Sequence, residues 1–496
     1  MKILQLMLAA LLATAVISAE ASSAAVAPLH EARSVGQQQI TDGRGLVYYI
    51  VDLVDDAQEA YSDNRPALAR QRFHERHPGK AQNMVEAFER QYGFNYVDMT
   101  SWVGNSFSAY LNKAQIENLR ADPRVKLISE VVEATFSAAF PPWYNSTISS
   151  SQYPYYETHS WGRNAVNGKI SNNTRRIYII DAGVGYHQDL TNVIARVNAS
   201  CGTNNNGCPG VSPVGCYPHA THVAGIIGAA YGNKGVAGVN AGAKLISVSA
   251  MKTNQTPAIC AKPDMDSASI VTAMDWVKWD IIINGVGQAG IVNLSINGPG
   301  FGATETIGSK MLNLASIYIG GYYYPGAFIA QSAGNGNASA CNAPSTASFH
   351  YSSGTPSTTD GIMVVGAIND SGYPVTQANG GFYNLPYAGN EQGSNYGSCV
   401  EVWAPGNVIY STWGPNAGYD PYNSSTWQSQ SVTYDNYINL SGTSMAAPHI
   451  TAVAAYLAET QSLGSPGDIE TSVRSHFYGT GQLDSAGLPV KLIWLP

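Results

Sequence analysis

Apolar positions along the chain follow two rhythms. From Trp161 onward, short apolar runs recur at Arg176–Ile180, Lys244–Val248, Gly290–Leu294, Ala327–Gln331, Ile362–Val365 and Val400–Trp403. Runs this short, with few polar interruptions, predict parallel strands buried on both faces. Helical spacings lie between them, as in Ile270, Met274, Val277 and Ile281. The alternation predicts a doubly wound α/β domain over 161–496. Its sheet is mostly parallel with helices on both faces, and sites form at the carboxyl ends of strands.

The earlier rhythm is mixed. It predicts a strand at Leu46–Val51, helices at about Ala67–His77 and Ala81–Tyr92, and strands at Phe94–Asp98 and Ser106–Leu111. A helix at Ala114–Arg120 and a strand at Val125–Glu130 complete a small α+β domain over 46–135. A polar linker at about 25–45 precedes it. Phe136–Ser160, rich in Pro, Tyr, Ser and Thr, reads as an exposed connector.

Charge separates the two domains further. Of 60 charged residues in the 496-residue chain, 23 fall within 46–135, which leaves the larger domain poor in charge. A net charge of −8 without a long basic run points away from nucleic acid and from anionic membrane surfaces. Residues 1–24 read as a signal peptide cleaved at about 19–24: Lys2, an apolar Ile3–Ile17, then small residues from Ser18 to Ala24. That core is too short for a comfortable membrane span and no later run is long enough. An exported, extracellular, soluble protein is therefore expected. Six cysteines, all between Cys201 and Cys399, suit an oxidising compartment and up to three disulfides, with the connectivity open.

Candidate chemistry gathers at four places. Leu440–Ile450 holds Ser444 just after Gly442 and ahead of a run of alanines suited to a closely packed helix, so Ser444 sits at a helix mouth. Pro448 fits a first turn. Taken alone, Gly-Thr-Ser reads better as a cap on a core helix. Asp181 ends the Ile177–Ile180 strand before a Gly turn. His219 starts a helix whose buried face is Val223, Ile226, Ile227 and Ala230. The His-x-x-His pair lacks the Glu of a His-Glu-x-x-His zinc site. Ser332-Ala-Gly-Asn335 places a carboxamide at a strand end. Together these supply nucleophile, base, orienting carboxylate and oxyanion donor, the set that acyl transfer requires.

In this order, Asp181-Ala-Gly, His219-Ala-Thr-His-Val-Ala-Gly, Ala-Gly-Asn335 and Gly-Thr-Ser444-Met-Ala-Ala-Pro resemble the subtilisin family of serine endopeptidases, from about Trp161 to the C-terminus. The resemblance implies Asp181 as carboxylate, His219 as base, Ser444 as nucleophile and Asn335 as oxyanion donor. It implies a substrate-binding strand in Asn293–Pro299, with Leu294, Ser295, Ile296, Asn297 and Gly298, faced by Ser332, Ala333 and Gly334. An extended peptide would pair with that strand as an added β-strand. Segment 46–135 is similar to the family's inhibitory propeptide, so the implied partners are protein and peptide substrates and the chain's own propeptide, on a monomer. Ala338–Cys341 and Tyr396–Gly406 resemble the proteinase K and aqualysin branch. The implied disulfides are Cys216–Cys260 and Cys341–Cys399, which leaves Cys201 and Cys208 for each other. No cofactor is implied for catalysis. A structural calcium is suggested only by Asp189, where a solvated turn carboxylate is the simpler reading.

Two residues depart from the family pattern: Ala220 and Asn297 each stand where Gly is usual. Inserted loops are expected around Ser200–Gly215, Thr253–Asp264, Gly300–Pro325 and Thr412–Ser431. The departures leave a second reading, a catalytically dead homologue that binds peptides or inhibitors. An acid-acting sedolisin-type peptidase shares the Gly-Thr-Ser signature but uses a Glu base, which the His219 motif argues against.

Overall fold

The computed structural model of the chain describes residues 26–31, 39–54, 81–136, 157–199 (without 173), 218–252 (without 233–234), 264–298 (without 286), 303–341 (without 320–321), 359–382 (without 380), 393–413 and 436–496. The signal segment, the expected helix at Ala67–His77, most of the connector and three of the four inserted loops fall outside these.

The N-terminal unit is a five-stranded sheet in the order β1-β5-β2-β4-β3. Its strands are β1 (Leu29–His30), β2 (Val47–Leu53), β3 (Tyr96–Thr100), β4 (Ser106–Leu111) and β5 (Val125–Glu130). Helices α1 (81–92) and α2 (Lys113–Arg120) cover one face. Asn112 caps α2 by accepting from the Gln115 N–H while Gln115 reaches back to the Asn112 N–H, a capping box. Tyr49, Val51, Phe88, Phe107 and Leu119 form the core beneath the helices. The alternate residues Tyr48 and Ile50 point the other way, into the core of the larger domain. Period-two alternation thus leaves β2 buried on both sides. The expected linker contributes β1, which pairs parallel with β5.

After a two-residue strand, β6 (Thr135–Phe136), the larger domain begins with helix α3 (Trp161–Ala165), capped by Ser160. Seven parallel strands follow: β7 (Arg176–Asp181), β8 (Val193–Asn198), β9 (Lys244–Ser249), β10 (Gly290–Leu294), β12 (Ala327–Ser332), β13 (Ile362–Ile368) and β14 (Val402–Pro405), with the short β11 (Ile296–Asn297) after β10. Their order is β8-β9-β7-β10-β12-β13-β14. This is the doubly wound, mostly parallel α/β arrangement expected from the sequence. Edge strand β8 was hidden in the sequence because Arg196 and Asn198 break its apolar pattern. Strand β14 starts two residues later than expected, because Glu401 turns its carboxylate onto the Val364 N–H (3.0 Å).

Strand β7 shows how the layers divide. Ile177 and Ile179 pack with helices α4 (His219–Gly228) and α7 (Thr443–Thr460). Tyr178 and Ile180 pack with α5 (Ser267–Asn284). The expected Gly300–Pro325 loop is instead helix α6 (Ala303–Ala315), whose Ile307, Met311 and Leu314 are buried, followed by a hairpin of Ser316–Ile319 with Tyr322–Pro325. Helices α5 and α6 carry the N-terminal unit. Asp275 Oδ1 accepts from the N–H groups of Ser101, Trp102 and Val103 (3.2, 2.5 and 2.8 Å). Lys310 Nζ pairs with Asp52 (2.6 Å), and Thr272 Oγ1 donates to Asp98 (2.8 Å).

Candidate active site

Asp181 is the last residue of β7, and His219 is the first of α4. Their side chains meet at 2.8 Å, His219 Nδ1 to Asp181 Oδ2, with both fully buried. Asp181 Oδ1 accepts from the Ala182 N–H at 2.7 Å, so the carboxylate is fixed at both oxygens. A carboxylate on Nδ1 selects the tautomer that leaves Nε2 able to accept a proton. Ala220, next in α4, is buried and is not among the residues with positive φ. Helical backbone there does not require Gly.

Ser444 is the second residue of α7, after Gly442 and Thr443. Gly442 supplies the entry bend, with φ of 149°, outside the range comfortable for other residues. Its position exposes Ser444 to the positive end of the helix. Pro448 lies in the second turn of α7, not the first as the sequence suggested. Having no N–H, it leaves the Ser444 carbonyl without its intrahelical donor. Ser295 Oγ supplies one instead, at 2.9 Å. A chain of side-chain bonds backs this up: Thr451 donates to Asn293 (3.0 Å), and Asn293 Nδ2 to Ser295 Oγ (2.9 Å). The Ser444 hydroxyl itself donates to the Ser295 carbonyl at 3.0 Å.

Asn335 follows the end of β12. Its Oδ1 accepts from both the N–H and the hydroxyl of Thr443, each at 2.9 Å. With the carbonyl end held, the Nδ2 end is buried and makes no hydrogen bond among the described residues. An orphaned buried donor is costly, and here it stands beside the helix mouth that holds Ser444. Thr443 was not singled out from the sequence, although it sits inside the Gly-Thr-Ser motif. Its hydroxyl also accepts from the Gly334 N–H (3.0 Å), and Gly334 adopts a φ of 96° that only Gly takes easily.

The remaining expected residues divide. Leu294 and Ile296 turn their side chains into the core with α5. Ala333 packs with Ala340, Val364 and Cys399. Asn297 and Ser332 are bonded side chain to side chain (2.7 Å), and Gly298 is buried beside them. Strand β6 lies antiparallel on β11, Thr135 opposite Asn297 and Phe136 opposite Ile296. Nothing in the sequence of Thr135 and Phe136 announced that pairing.

His222 is a buried structural histidine, its Nε2 shared between the Ile409 and Ile438 carbonyls (3.0 and 3.1 Å). Burial pushes it down to about 3 and so keeps it neutral. His449, bonded through Nδ1 to the Met445 carbonyl (2.8 Å), is likewise pushed down to about 4 by burial. Asp189 is not a solvated turn carboxylate. It is fully buried, and its Oδ2 accepts from Tyr437 Oη (2.7 Å) and the Val236 N–H (2.9 Å). Among the described residues no group of three His, Cys, Asp or Glu side chains could hold a metal ion. Cys341 and Cys399 are joined, with Cα atoms 5.4 Å apart, while Cys201, Cys208, Cys216 and Cys260 lie outside the described residues.

Comparison with known proteins agrees with this geometry. Residues 173–478 match the model of the subtilase family, Peptidase S8. A thermostable alkaline protease of Halalkalibacterium halodurans is 27% identical over 350 residues, covering 70% of each chain. Proteinase R of Parengyodontium album is 27% identical over 357 residues, 71% of this chain and 69% of that protein. Among solved structures, fervidolysin from Fervidobacterium pennivorans, described as a keratinolytic enzyme related to subtilisin, aligns with a TM-score of 0.59 at 18% identity. That alignment covers 95% of this chain and 63% of that one, and speaks to fold alone. With more than half of its length matched by the family model, this chain belongs to the subtilase family, the subtilisin-like serine peptidases.

Proposed function

We propose that the chain is a secreted serine endopeptidase, made as a zymogen that cuts itself and is then inhibited by its own N-terminal unit. The observation that carries the reading is the buried Asp181–His219 bond, with Ser444 at the start of the α7 helix packed against α4. In this mechanism the Ser444 hydroxyl turns from the Ser295 carbonyl to His219 and attacks the peptide carbonyl. His219 takes the hydroxyl proton, and Asp181 steadies the resulting imidazolium. The carbonyl oxygen becomes an oxyanion, held by Asn335 Nδ2 and the Ser444 N–H. His219 returns the proton to the leaving amine, which departs as the acyl-enzyme forms. A water, deprotonated by the same imidazole, releases the acid and restores Ser444.

Support for self-processing comes from β6. Phe136, at the end of β6, lies opposite Ile296, the neighbour of Ser295, whose carbonyl accepts from Ser444 Oγ. The bond cut in maturation is therefore expected within a few residues beyond Phe136, in the connector, with the N-terminal unit remaining bound to α5 and α6. Among the described residues no helix is long and apolar enough to cross a membrane. The test is expression of the full chain and of Ser444→Ala in a host without other proteases. The wild type should appear cut near 137–139 and label with a serine-directed fluorophosphonate, and the variant should remain whole and unlabelled. A cut Ser444→Ala protein would end the self-processing claim. A wild type that takes no label would be the dead homologue instead.

A further inference from the structure

From the hydrogen bonds at the start of α7 we infer that Thr451 and Asn293 are positioning residues for the nucleophile. Through Ser295 they hold the Ser444 peptide in place of the helix bond that Pro448 removes. The inference rests on the peptidase reading above and goes one step further, to two residues outside the triad and the oxyanion donor.

Three observations carry it. The first is a break in the helix ladder: Pro448 stands four residues after Ser444, where a backbone N–H would otherwise bond the Ser444 carbonyl. Ser295 Oγ donates to that carbonyl instead, at 2.9 Å. The second is the direction of the chain behind Ser295. A carbonyl only accepts, so the Ser295 hydroxyl commits its proton there and its oxygen is left to accept. Asn293 Nδ2 donates to it at 2.9 Å. That orients the Asn293 amide with Oδ1 towards α7, where the Thr451 hydroxyl donates at 3.0 Å. Thr451 Oγ1 also lies 3.1 Å from the Ala447 carbonyl, but a helix carbonyl is already served by the backbone four residues on. Thr451, Asn293, Ser295 and Ser444 are all fully buried, so bulk water cannot replace any link. The third observation is that Ser295 grips Ser444 at two points. Its carbonyl accepts from the Ser444 hydroxyl at 3.0 Å, while its own hydroxyl holds the Ser444 carbonyl. The first bond is given up each time the hydroxyl turns to His219. The second is not.

A tethered carbonyl pins the Ser444 backbone, so the hydroxyl moves between Ser295 and His219 by rotation about its own Cα–Cβ bond. Without the tether the first turn of α7 would be free to tip, and the hydroxyl would start from a spread of positions. Catalytic geometry tolerates little of this: a misplacement of about 1 Å can cost about 10²-fold in rate. Removing the far end of the chain loosens the tether without cutting it, so a smaller loss is expected there.

The experiment expresses the full chain; a slowed enzyme still matures, because each molecule needs a single cut. Steady-state kinetics on one peptide substrate and the rate of fluorophosphonate labelling are compared for wild type, Thr451→Val, Thr451→Ser and Ser295→Ala. Thr451→Val, which removes the hydroxyl and keeps the shape, should lower kcat about tenfold with KM held within about twofold, and should slow labelling in proportion. Ser295→Ala should lower kcat at least as much. Thr451→Ser keeps the hydroxyl and should stay within about twofold of wild type. Each variant is then combined with Pro448→Ala, which returns an N–H to the helix and so a backbone donor to the Ser444 carbonyl. In that background Thr451→Val and Ser295→Ala should each cost less than about threefold, because the side-chain tether has become redundant. If the chain is only a brace between β10 and α7, Tm falls while kcat, KM and labelling hold, which overturns the inference. A loss of equal size in both backgrounds also overturns it, since the effect would not pass through the Ser444 carbonyl. Should Thr451→Val fail to accumulate, Ser295→Ala, which deletes one oxygen, makes the same comparison. Labelled wild type with an unmoved kcat in the variants defeats only the positioning role, whereas unlabelled wild type defeats the peptidase reading and the role with it.

Discussion

The two faces of the seven-stranded sheet are built alike and used differently. On one face, α4 and α7 pack with Ala220, Ala224, Ala446, Ala447, Ala452, Ala454 and Ala455, small residues that bring helices close to the strands. The polar groups on this face, Asp181, His219, Ser444, Asn335 and Thr443, lie within a continuous core and are fully buried. On the other face, α5 and α6 meet a sheet of the N-terminal unit through a layer of apolar side chains crossed by charged bonds. Asp275 holds three N–H groups, Lys310 holds Asp52, and Asp98 takes a bond from Thr272. A permanent core tolerates few such groups, because burying charge without full pairing costs several kcal/mol per ion, as an order of magnitude. An interface that must come apart can carry them, since each group finds water on release. On the function proposed above, the first face is machinery and the second a detachable joint.

Substitutions should therefore separate the faces. Ser444→Ala, His219→Ala or Asp181→Asn, each made as a larger domain with its N-terminal unit supplied as a separate chain because the variants cannot mature themselves, should lower turnover by about 10³-fold or more and still bind that unit, since the three act as one unit in reaction alone. Turnover and direct binding of the separate unit on the same preparations check both halves of that statement. Asn335→Leu comes next, with a loss in kcat of about 10²–10³-fold and little change in KM, because the amide matters only once the oxyanion forms. A matching rise in KM would place Asn335 in ground-state binding instead.

On the opposite face the pattern should invert. Asp275→Ala strands the N–H groups of Ser101, Trp102 and Val103 in the joint, and bonds to a charged group are worth about 1.5–3 kcal/mol each. Inhibition by the separately produced N-terminal unit should weaken by about 10²-fold, with peptide turnover of the mature enzyme held. Equal inhibition would mean that the apolar layer alone sets affinity.

The joint should also respond to pH. Burial pushes Asp98 up to about 7, against bonds from Thr272 and the Met99 N–H that favour the ionised form. Asp275 is pushed up to about 6 by burial, against its three N–H donors. Separation returns both carboxylates to water, where they ionise near their ordinary value. The complex therefore holds protons that the separated parts release, so its extra stability is complete below about pH 4. That stability is lost as pH rises through about 6 and 7. Inhibition should be at least about tenfold tighter at pH 5 than at pH 8, and Asp98→Asn should flatten the dependence. Tighter inhibition at pH 8 would contradict the burial of these groups in the joint. The smallest effect belongs to Ala220→Gly on the reaction face. With α4 helical through that position, kcat/KM should change by less than about tenfold, or about 1.4 kcal/mol. Fluorophosphonate labelling of the Gly variant but not of the natural protein would show that the methyl group disables the site.

Most of the larger domain was legible in the chain because its signals are local. Buried parallel strands need short apolar runs, and six of the seven were present as such; β8 failed because an edge strand half open to water accepts Arg196 and Asn198. Asp181, His219, Asn335 and Ser444 could be read because each sits where a strand or helix begins or ends. Backbone direction at such a point is set by a few neighbouring residues, and Asp181 and His219 do meet, although 38 residues apart. What the sequence could not supply are contacts between segments far apart. Thr443 reaches back 108 residues to fix the Asn335 amide, Tyr437 covers an Asp189 that reads locally as a surface turn, and Pro448 frees a carbonyl that Ser295 takes up from 149 residues away. The Asn297 carboxamide is held by Ser332 from 35 residues away. A side chain's local preference leaves several rotamers and partners within reach. Close packing of distant segments selects one of them, because a buried polar atom must be satisfied by whatever the fold has brought beside it.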